Sequence, residues 1–233
     1  MTRRAAASIF DLVVFDCDGV LVDSEVIACR AVAEALAAIG HAISAEAVAD
    51  RFVGISNRDM YAALERDRGA PLPAGFDAEM NRIAAALFER ELRAMPGLER
   101  TLATLTARRC VASSSTPAML AKKLAWAGLA PWFGAAVFSA AAVARGKPAP
   151  DLFLHAAERM ATMPSRALVI EDSVPGIEAA KAASMTVFGF VGGSHCRPDH
   201  GERLAAAGAD LVFREMSELP ALIAQRNATF TTS

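Results

Sequence analysis

The sequence predicts an α/β fold: a doubly wound parallel sheet with a block of helices inserted after its first strand. Two observations predict the sheet. Short apolar runs of the kind buried on both faces recur at Leu12–Phe15, Cys110–Ala112, Ala136–Phe138, Ala167–Ile170, Thr186–Phe190 and Leu211–Phe213. Segments with helical spacing lie between most of them, such as Met119, Leu120, Leu124 and Leu152, Phe153, Ala156, Ala157. Buried strands alternating with helices imply a parallel sheet covered on both faces. A third observation predicts the insert. From Asp23 to Leu92 there is no convincing buried strand. The expected domains are therefore residues 1–22 with 93–233, and residues 23–92.

Taken in order, the first strand reads Asp11-Leu-Val-Val-Phe-Asp16, closing in an acid before a turn at Gly19. The insert follows as Ala-rich helices, roughly Ser24–Ile39, Ala45–Phe52, Arg58–Arg68 and Asp77–Leu92. Turns at Ile39-Gly40-His41 and Gly69–Pro73 separate them. The second strand runs into Ser113-Ser114-Ser115-Thr116, ahead of a helix opened by Pro117. Leu124–Ala144 is 21 residues without a formal charge, long enough to span a bilayer. Gly128, Pro131 and Gly134 interrupt it, so it reads as helix end, turn and buried strand. Gly146-Lys147-Pro148 precedes a helix at Pro150, and Glu171-Asp172-Ser173 follows the Ala167–Ile170 strand. The loop Gly192-Gly193-Ser194-His195 reads as an ordinary connection, and Asn227–Ser233 as a frayed end.

Composition excludes several function classes. The 233 residues are 54% hydrophobic and 21% charged, which argues against a disordered chain. Lys plus Arg is 24 and Asp plus Glu is 26, so the net charge of −2 offers no basic field for nucleic acid. The apolar run Ala5–Phe10 is too short for a signal peptide core. Cys17, Cys29, Cys110 and Cys196 form no CxxC pair, so reduced cysteines in a cytoplasmic protein are expected. No membrane association is expected, and a monomer is the default.

Ligands of a doubly wound sheet bind outside the carboxyl ends of its strands. There the sequence collects Asp16 and Asp18, then Ser113–Thr116, then Lys147, then Glu171 and Asp172. Carboxylates held close together repel unless a cation or proton intervenes. A hard divalent ion with oxygen ligands suits them, Mg²⁺ above all beside a phosphate. Zinc is not expected, because no His/Cys cluster accompanies the acids and His41, His155, His195 and His200 are scattered. The hydroxyl run suits an anion site and equally a helix N-cap. Lys147, kept out of helix by Pro148, is either a fixed cation for a phosphoryl group or a surface lysine.

These segments, in this order, resemble the haloacid dehalogenase superfamily of phosphatases. Phe15-Asp16-Cys17-Asp18-Gly19-Val20-Leu21-Val22-Asp23-Ser24-Glu25 is similar to its first motif, and Val111-Ala112-Ser113-Ser114-Ser115 to its second. Gly146-Lys147-Pro148-Ala149-Pro150-Asp151 resembles the third motif and Val169–Ala180 the fourth. The resemblance implies a Rossmann-like core and makes the insert the small cap domain of the β-phosphoglucomutase-like branch. Within that branch, the first motif resembles the bacterial 6-phosphogluconate phosphatase group. It implies Asp16 as nucleophile and Asp18 as acid and base. Mg²⁺ would be held by Asp16, the Asp18 carbonyl and Asp172, with Glu171 bound directly or through water. Ser113, the Ser114 N–H and Lys147 would hold the phosphoryl oxygens. Candidate substrate contacts in the cap are Glu25, Ser56, Asn57, Arg58 and Arg82.

The implied reaction is hydrolysis of a small sugar, sugar-acid or polyol phosphate. The dehalogenases of the superfamily it resembles lack an acid two residues after the nucleophile, because halide leaves without a proton, so Asp18 points to phosphoryl transfer from an alcohol. A hexose-phosphate mutase is the nearest alternative. The mutases of this branch carry a His where Ala28 stands, a Thr where Ser24 stands, and an Arg after Gly-Val-Ser where Asn57 stands. A non-catalytic phosphometabolite-binding protein would not need Asp18.

Overall fold

The structure is a computed structural model that describes residues 9–231 apart from Gly54 and Ser56. The chain divides into two compact units, residues 1–22 with 94–233, and residues 23–93.

The first unit is built on six parallel strands: β1 (Leu12–Phe15), β2 (Arg108–Ser113), β3 (Val137–Ser139), β4 (Ala167–Glu171), β5 (Thr186–Phe190) and β6 (Leu211–Phe213). Their order is β3-β2-β1-β4-β5-β6, and every neighbouring pair is parallel. β1 is central, and all four of its side chains are fully buried. Burying four large apolar side chains contributes at most about 6–12 kcal/mol. Leu12 and Val14 share one core with β2, β4 and β5 residues such as Cys110, Val169 and Val187. Phe15 meets Phe133 edge-on, 6.1 Å between ring centroids.

Helices of the second unit are α1 (Glu25–Ala38), α2 (Ala45–Phe52), α3 (Asn57–Arg68) and α4 (Phe76–Glu91). Ser44 caps α2 by accepting the Ala47 N–H at 3.2 Å. An apolar core of Val32, Leu36, Phe52, Leu64 and Met80 holds the four together. Arg30 of α1 forms an ion pair with Glu91 of α4.

The first unit's helices are α5 (Leu98–Thr104), α6 (Pro117–Trp126), α7 (Ala130–Phe133), α8 (Asp151–Arg159), α9 (Val174–Ala182), α10 (His200–Ala206) and α11 (Leu219–Thr231). The uncharged run resolves into the end of α6, the short α7 and β3. No helix among the described residues is long and apolar enough to cross a membrane. The expected fraying at Asn227–Ser233 is corrected for Asn227–Thr231, which continue α11. The Ile9 N–H donates to Asn227 Oδ1 at 3.0 Å and ties that turn to the start of β1. Thr232 and Ser233 lie outside the described residues, as does Ala5–Phe10 except for Ile9 and Phe10.

Candidate active site

The sheet order reverses at β1. β2 and β3 lie to one side of it, β4 and beyond to the other. Such a switch point opens a crevice beyond the carboxyl ends of the two strands that flank it. Phe15 pairs with Ile170, so Asp16 and Glu171 leave β1 and β4 side by side. Carboxylate oxygens of Asp16, Glu171 and Asp172 all lie within 4.8 Å of one another. All three residues are buried, Glu171 completely.

Two glycines make this crowding possible. Gly19 has φ +77°, and a Cβ there would sit 1.9 Å from Asp172 Oδ2. A Cβ at Gly176, in the first turn of α9, would sit 1.9 Å from the Glu171 carboxyl carbon. Ser173 caps α9, its Oγ accepting the Gly176 N–H at 3.1 Å. The same residue gives Glu171 Oε2 two hydrogen bonds, from its N–H at 3.0 Å and its hydroxyl at 2.9 Å.

Lys147 supplies the countercharge. Its side chain is 6% exposed, and Nζ donates to Asp16 Oδ1 at 2.6 Å and to Glu171 Oε1. Nζ also stands 3.4 Å from the Ala112 carbonyl, which places it beside the end of β2. Lys147 is thus a buried, paired cation and not a surface lysine. Burial alone pushes its pKa down, but Asp16 and Glu171 outweigh that and raise it. Burial raises Asp16 well above the usual carboxylate range. Lys147 opposes this, while Glu171, Asp172 and Asp18 add to it. Burial also raises Asp172, and the hydrogen bond with His195 partly offsets it.

Asp18 is served by a different cation, Lys123, and by a hydroxyl. Lys123 Nζ reaches its Oδ1 at 2.5 Å and the Ser115 hydroxyl its Oδ2 at 2.8 Å. Ser139 in turn donates to the Ser115 carbonyl at 2.6 Å. The sequence places Ser115 only within the Ser113–Thr116 hydroxyl run, as a candidate for an anion and not as a partner of Asp18, and it gives Lys123 no role. A usable signal exists for Lys123, which falls between Leu120 and Leu124 on the buried stripe of α6 and is itself 6% exposed. A lysine on a core-facing helix position needs a buried partner.

Ser113 ends β2 buried, its Oγ accepting the Ser115 N–H at 3.1 Å, whereas Ser114 is exposed. Capping of α6 falls to Thr116, which accepts the Met119 N–H at 3.4 Å. Glu25, Asn57, Arg58 and Arg82 belong to the helical unit. Arg58 is 91% exposed beside Asp59, and Arg82 makes two hydrogen bonds to Glu79 on its own helix. Ser56 lies outside the described residues.

The acids do have a His/Cys cluster beside them, contrary to the sequence expectation. His195 Nε2 stands 3.0 Å from Asp172 Oδ2 and 3.5 Å from Cys196 Sγ. His200 Nε2 donates to the Asp172 carbonyl at 2.6 Å. Burial disfavours a charged His195, yet the hydrogen bonds with Asp172 and Cys196 push it up to about 10. The chain between His195 and His200 turns back on itself at the start of α10, which spacing alone does not reveal.

The acidic group fits a hard divalent cation. Three buried carboxylates crowd together while Lys147 balances part of their charge, and the donors are all oxygen.

Comparison with known proteins agrees with this geometry. Residues 10–184 match the haloacid dehalogenase-like hydrolase family. The 6-phosphogluconate phosphatase of Escherichia coli K12 is 30% identical over 91% of this chain and 94% of its own. A haloacid dehalogenase-like protein of unknown function from Agrobacterium tumefaciens C58 superposes with a TM-score of 0.85 at 40% identity, over 93% of this chain and 99% of that one. A family hydrolase from Deinococcus radiodurans R1, solved with bound phosphate and sodium, gives 0.81 at 33% identity, over 94% and 97%. With an acid group at the switch point, a buried lysine across it and a family match over most of the chain, the protein belongs to the haloacid dehalogenase-like hydrolases.

Proposed function

We propose that this hydrolase is a Mg²⁺-dependent phosphatase of a small sugar, sugar-acid or polyol phosphate, working through an aspartyl-phosphate. The observation that carries this reading is the separate provision for the two aspartates. Asp16 is served by Lys147, and Asp18 by Lys123 and Ser115. Two carboxyl groups two residues apart thereby receive different environments, as a nucleophile and an acid–base pair require.

Asp16 attacks phosphorus in line while Asp18 gives its proton to the leaving alkoxide. A water molecule then attacks the aspartyl-phosphate, losing its proton to Asp18, and inorganic phosphate departs with Asp16 restored. Lys147, Ser113 and the Ser114 N–H hold the phosphoryl oxygens through both steps. Asp16, the Asp18 carbonyl and Asp172 would hold Mg²⁺. Glu171, whose oxygens already serve Lys147 and Ser173, would act through water. When bound, the ion offsets the charge of the acids and so admits a phosphate dianion. Substrate choice is assigned to the helical unit, with Glu25, Asn57, Arg58 and Arg82 as its candidates.

The test is phosphate release from a panel of phosphate esters, with 6-phosphogluconate first, in Mg²⁺ and in EDTA. Turnover in Mg²⁺ alone, abolished by Asp16→Asn, is expected. No turnover of any ester would overturn the phosphatase. Isomerisation of a sugar 1-phosphate without phosphate release would replace it with a mutase.

A further inference from the structure

The segment Gly192–His200 carries three side chains for which the phosphatase chemistry has no use. His195 Nε2 or Nδ1, Cys196 Sγ and a ring nitrogen of His200 all lie within 4.8 Å of one another. The His195 side chain is 3% exposed, and its Nδ1 is buried without a hydrogen-bond partner among the described residues. Every polar contact of that ring therefore runs through Nε2, which faces both Cys196 and Asp172. Cys196 and His200 are only partly buried, so an ion can reach them from solvent.

The spacing of these donors suits one tetrahedral ion. Zinc binds nitrogen at about 2.0–2.1 Å and thiolate sulfur at about 2.3 Å, so the two atoms stand about 3.5 Å apart on a tetrahedral ion. The His195 Nε2 to Cys196 Sγ distance is 3.5 Å. A nitrogen and a carboxylate oxygen on the same ion would stand about 3.3 Å apart, and His195 Nε2 is 3.0 Å from Asp172 Oδ2. His200 donates from Nε2 to the Asp172 carbonyl at 2.6 Å, which leaves Nδ1 as the lone-pair nitrogen of the neutral ring. A backbone carbonyl on the second nitrogen is the usual support for a metal-bound histidine.

We propose that His195, Cys196 and His200 form a second metal site, for a divalent ion of the Zn²⁺ class, with Asp172 as its fourth ligand. On binding, the Cys196 thiol and the His195 imidazolium each release a proton to solvent. A thiolate, a carboxylate and two neutral imidazoles then hold the ion with no net charge. Nitrogen and sulfur donors disfavour Mg²⁺, so the two sites are told apart by ligand chemistry rather than by size. Filling the soft site draws the Asp172 carboxylate away from the acidic group. If the phosphatase reading holds, Zn²⁺ therefore inhibits turnover from outside the Mg²⁺ position.

Cobalt(II) is the probe. Added to the full chain in excess Mg²⁺, it should produce a thiolate-to-cobalt charge-transfer band and the intense visible bands of a four-coordinate ion, both lost on adding Zn²⁺. Cys196→Ser, a one-atom change, should abolish the charge-transfer band while keeping the far-UV circular dichroism and the Mg²⁺-supported turnover. His200→Ala should weaken cobalt binding at least about tenfold. Absence of the band in the parent, or its survival in Cys196→Ser, would overturn the site. The spectrum needs no turnover, so it stands apart from any failure of the phosphatase reading. In the kinetic arm, Zn²⁺ should inhibit the parent at concentrations that spare Cys196→Ser. Zinc binding without inhibition would remove Asp172 from the site.

Discussion

Replacing Lys147 by Met tests how the acidic group is held together. The substitution keeps the length and apolar stem of the side chain, which lies over Phe153 with Nζ 5.1 Å from the ring centroid. It removes the cation that bonds Asp16 Oδ1 at 2.6 Å and Glu171 on the other side. Those two carboxylates are 10% and 0% exposed, so water cannot replace the lost partner. Removing one member of a buried ion pair costs about 3–5 kcal/mol. In a unit of this size that lowers the unfolding temperature by about 6–20 °C. Differential scanning fluorimetry in EDTA reads it directly. Mg²⁺ should recover part of the loss, because the ion replaces some of the missing positive charge. Under the proposed phosphatase chemistry turnover should not recover, since an oriented donor to the transferring group contributes about 10²–10³-fold. An unfolding temperature equal to the parent's in EDTA, or an unchanged kcat, would refute the assignment of Lys147 as the bridge.

Three further outcomes are expected. Gly176→Ala would drive a methyl group into the Glu171 carboxylate, at 1.9–2.3 Å from its atoms. The overpacking should cost about 1–3 kcal/mol by urea titration. Lys123→Met should lower kcat about 10–100-fold with little change in KM, because it frees Asp18 to leave its position without touching the phosphate. An equal rise in KM would argue for a binding role instead. In the helical unit, hydrogen bonds from Arg30 and Arg90 hold Glu91 down to about 2, against an ordinary 4.5. The stabilisation from this depressed group is present above its unfolded-state pKa and is lost as pH falls toward 2. Glu91→Gln should therefore unfold earlier than the parent near neutral pH, with the two midpoints converging under acid.

The acids were legible because their placement is local. A strand ending in Asp, a turn needing Gly19, and a second strand ending in Glu171-Asp172 are each set within a few residues, and a parallel sheet brings such ends to one edge. The helical insert was legible for the same reason, since its periodicity is a property of neighbouring turns. Lys147 was recognisable by its segment, yet its burial was not. Whether a lysine faces water or two carboxylates depends on what stands across from it.

Asp18's partners come from distant parts of the chain. Ser115 and Lys123 lie about a hundred positions along the chain from Asp18, and they reach it only because β2 pairs beside β1 and α6 follows β2. The histidines illustrate the same limit. His195 and His200 are scattered in the sequence, and they meet the acids because β5 lies beside β4 and the loop after it reaches Asp172. By itself the sequence determined the α/β class, the helical insert and the acids at the strand ends, since backbone periodicity and turn chemistry are short-range. Only the tertiary structure decided which cation serves which carboxylate, and that a thiol and two imidazoles stand beside Asp172. Those distances depend on strand order, which residues far apart in the chain settle together.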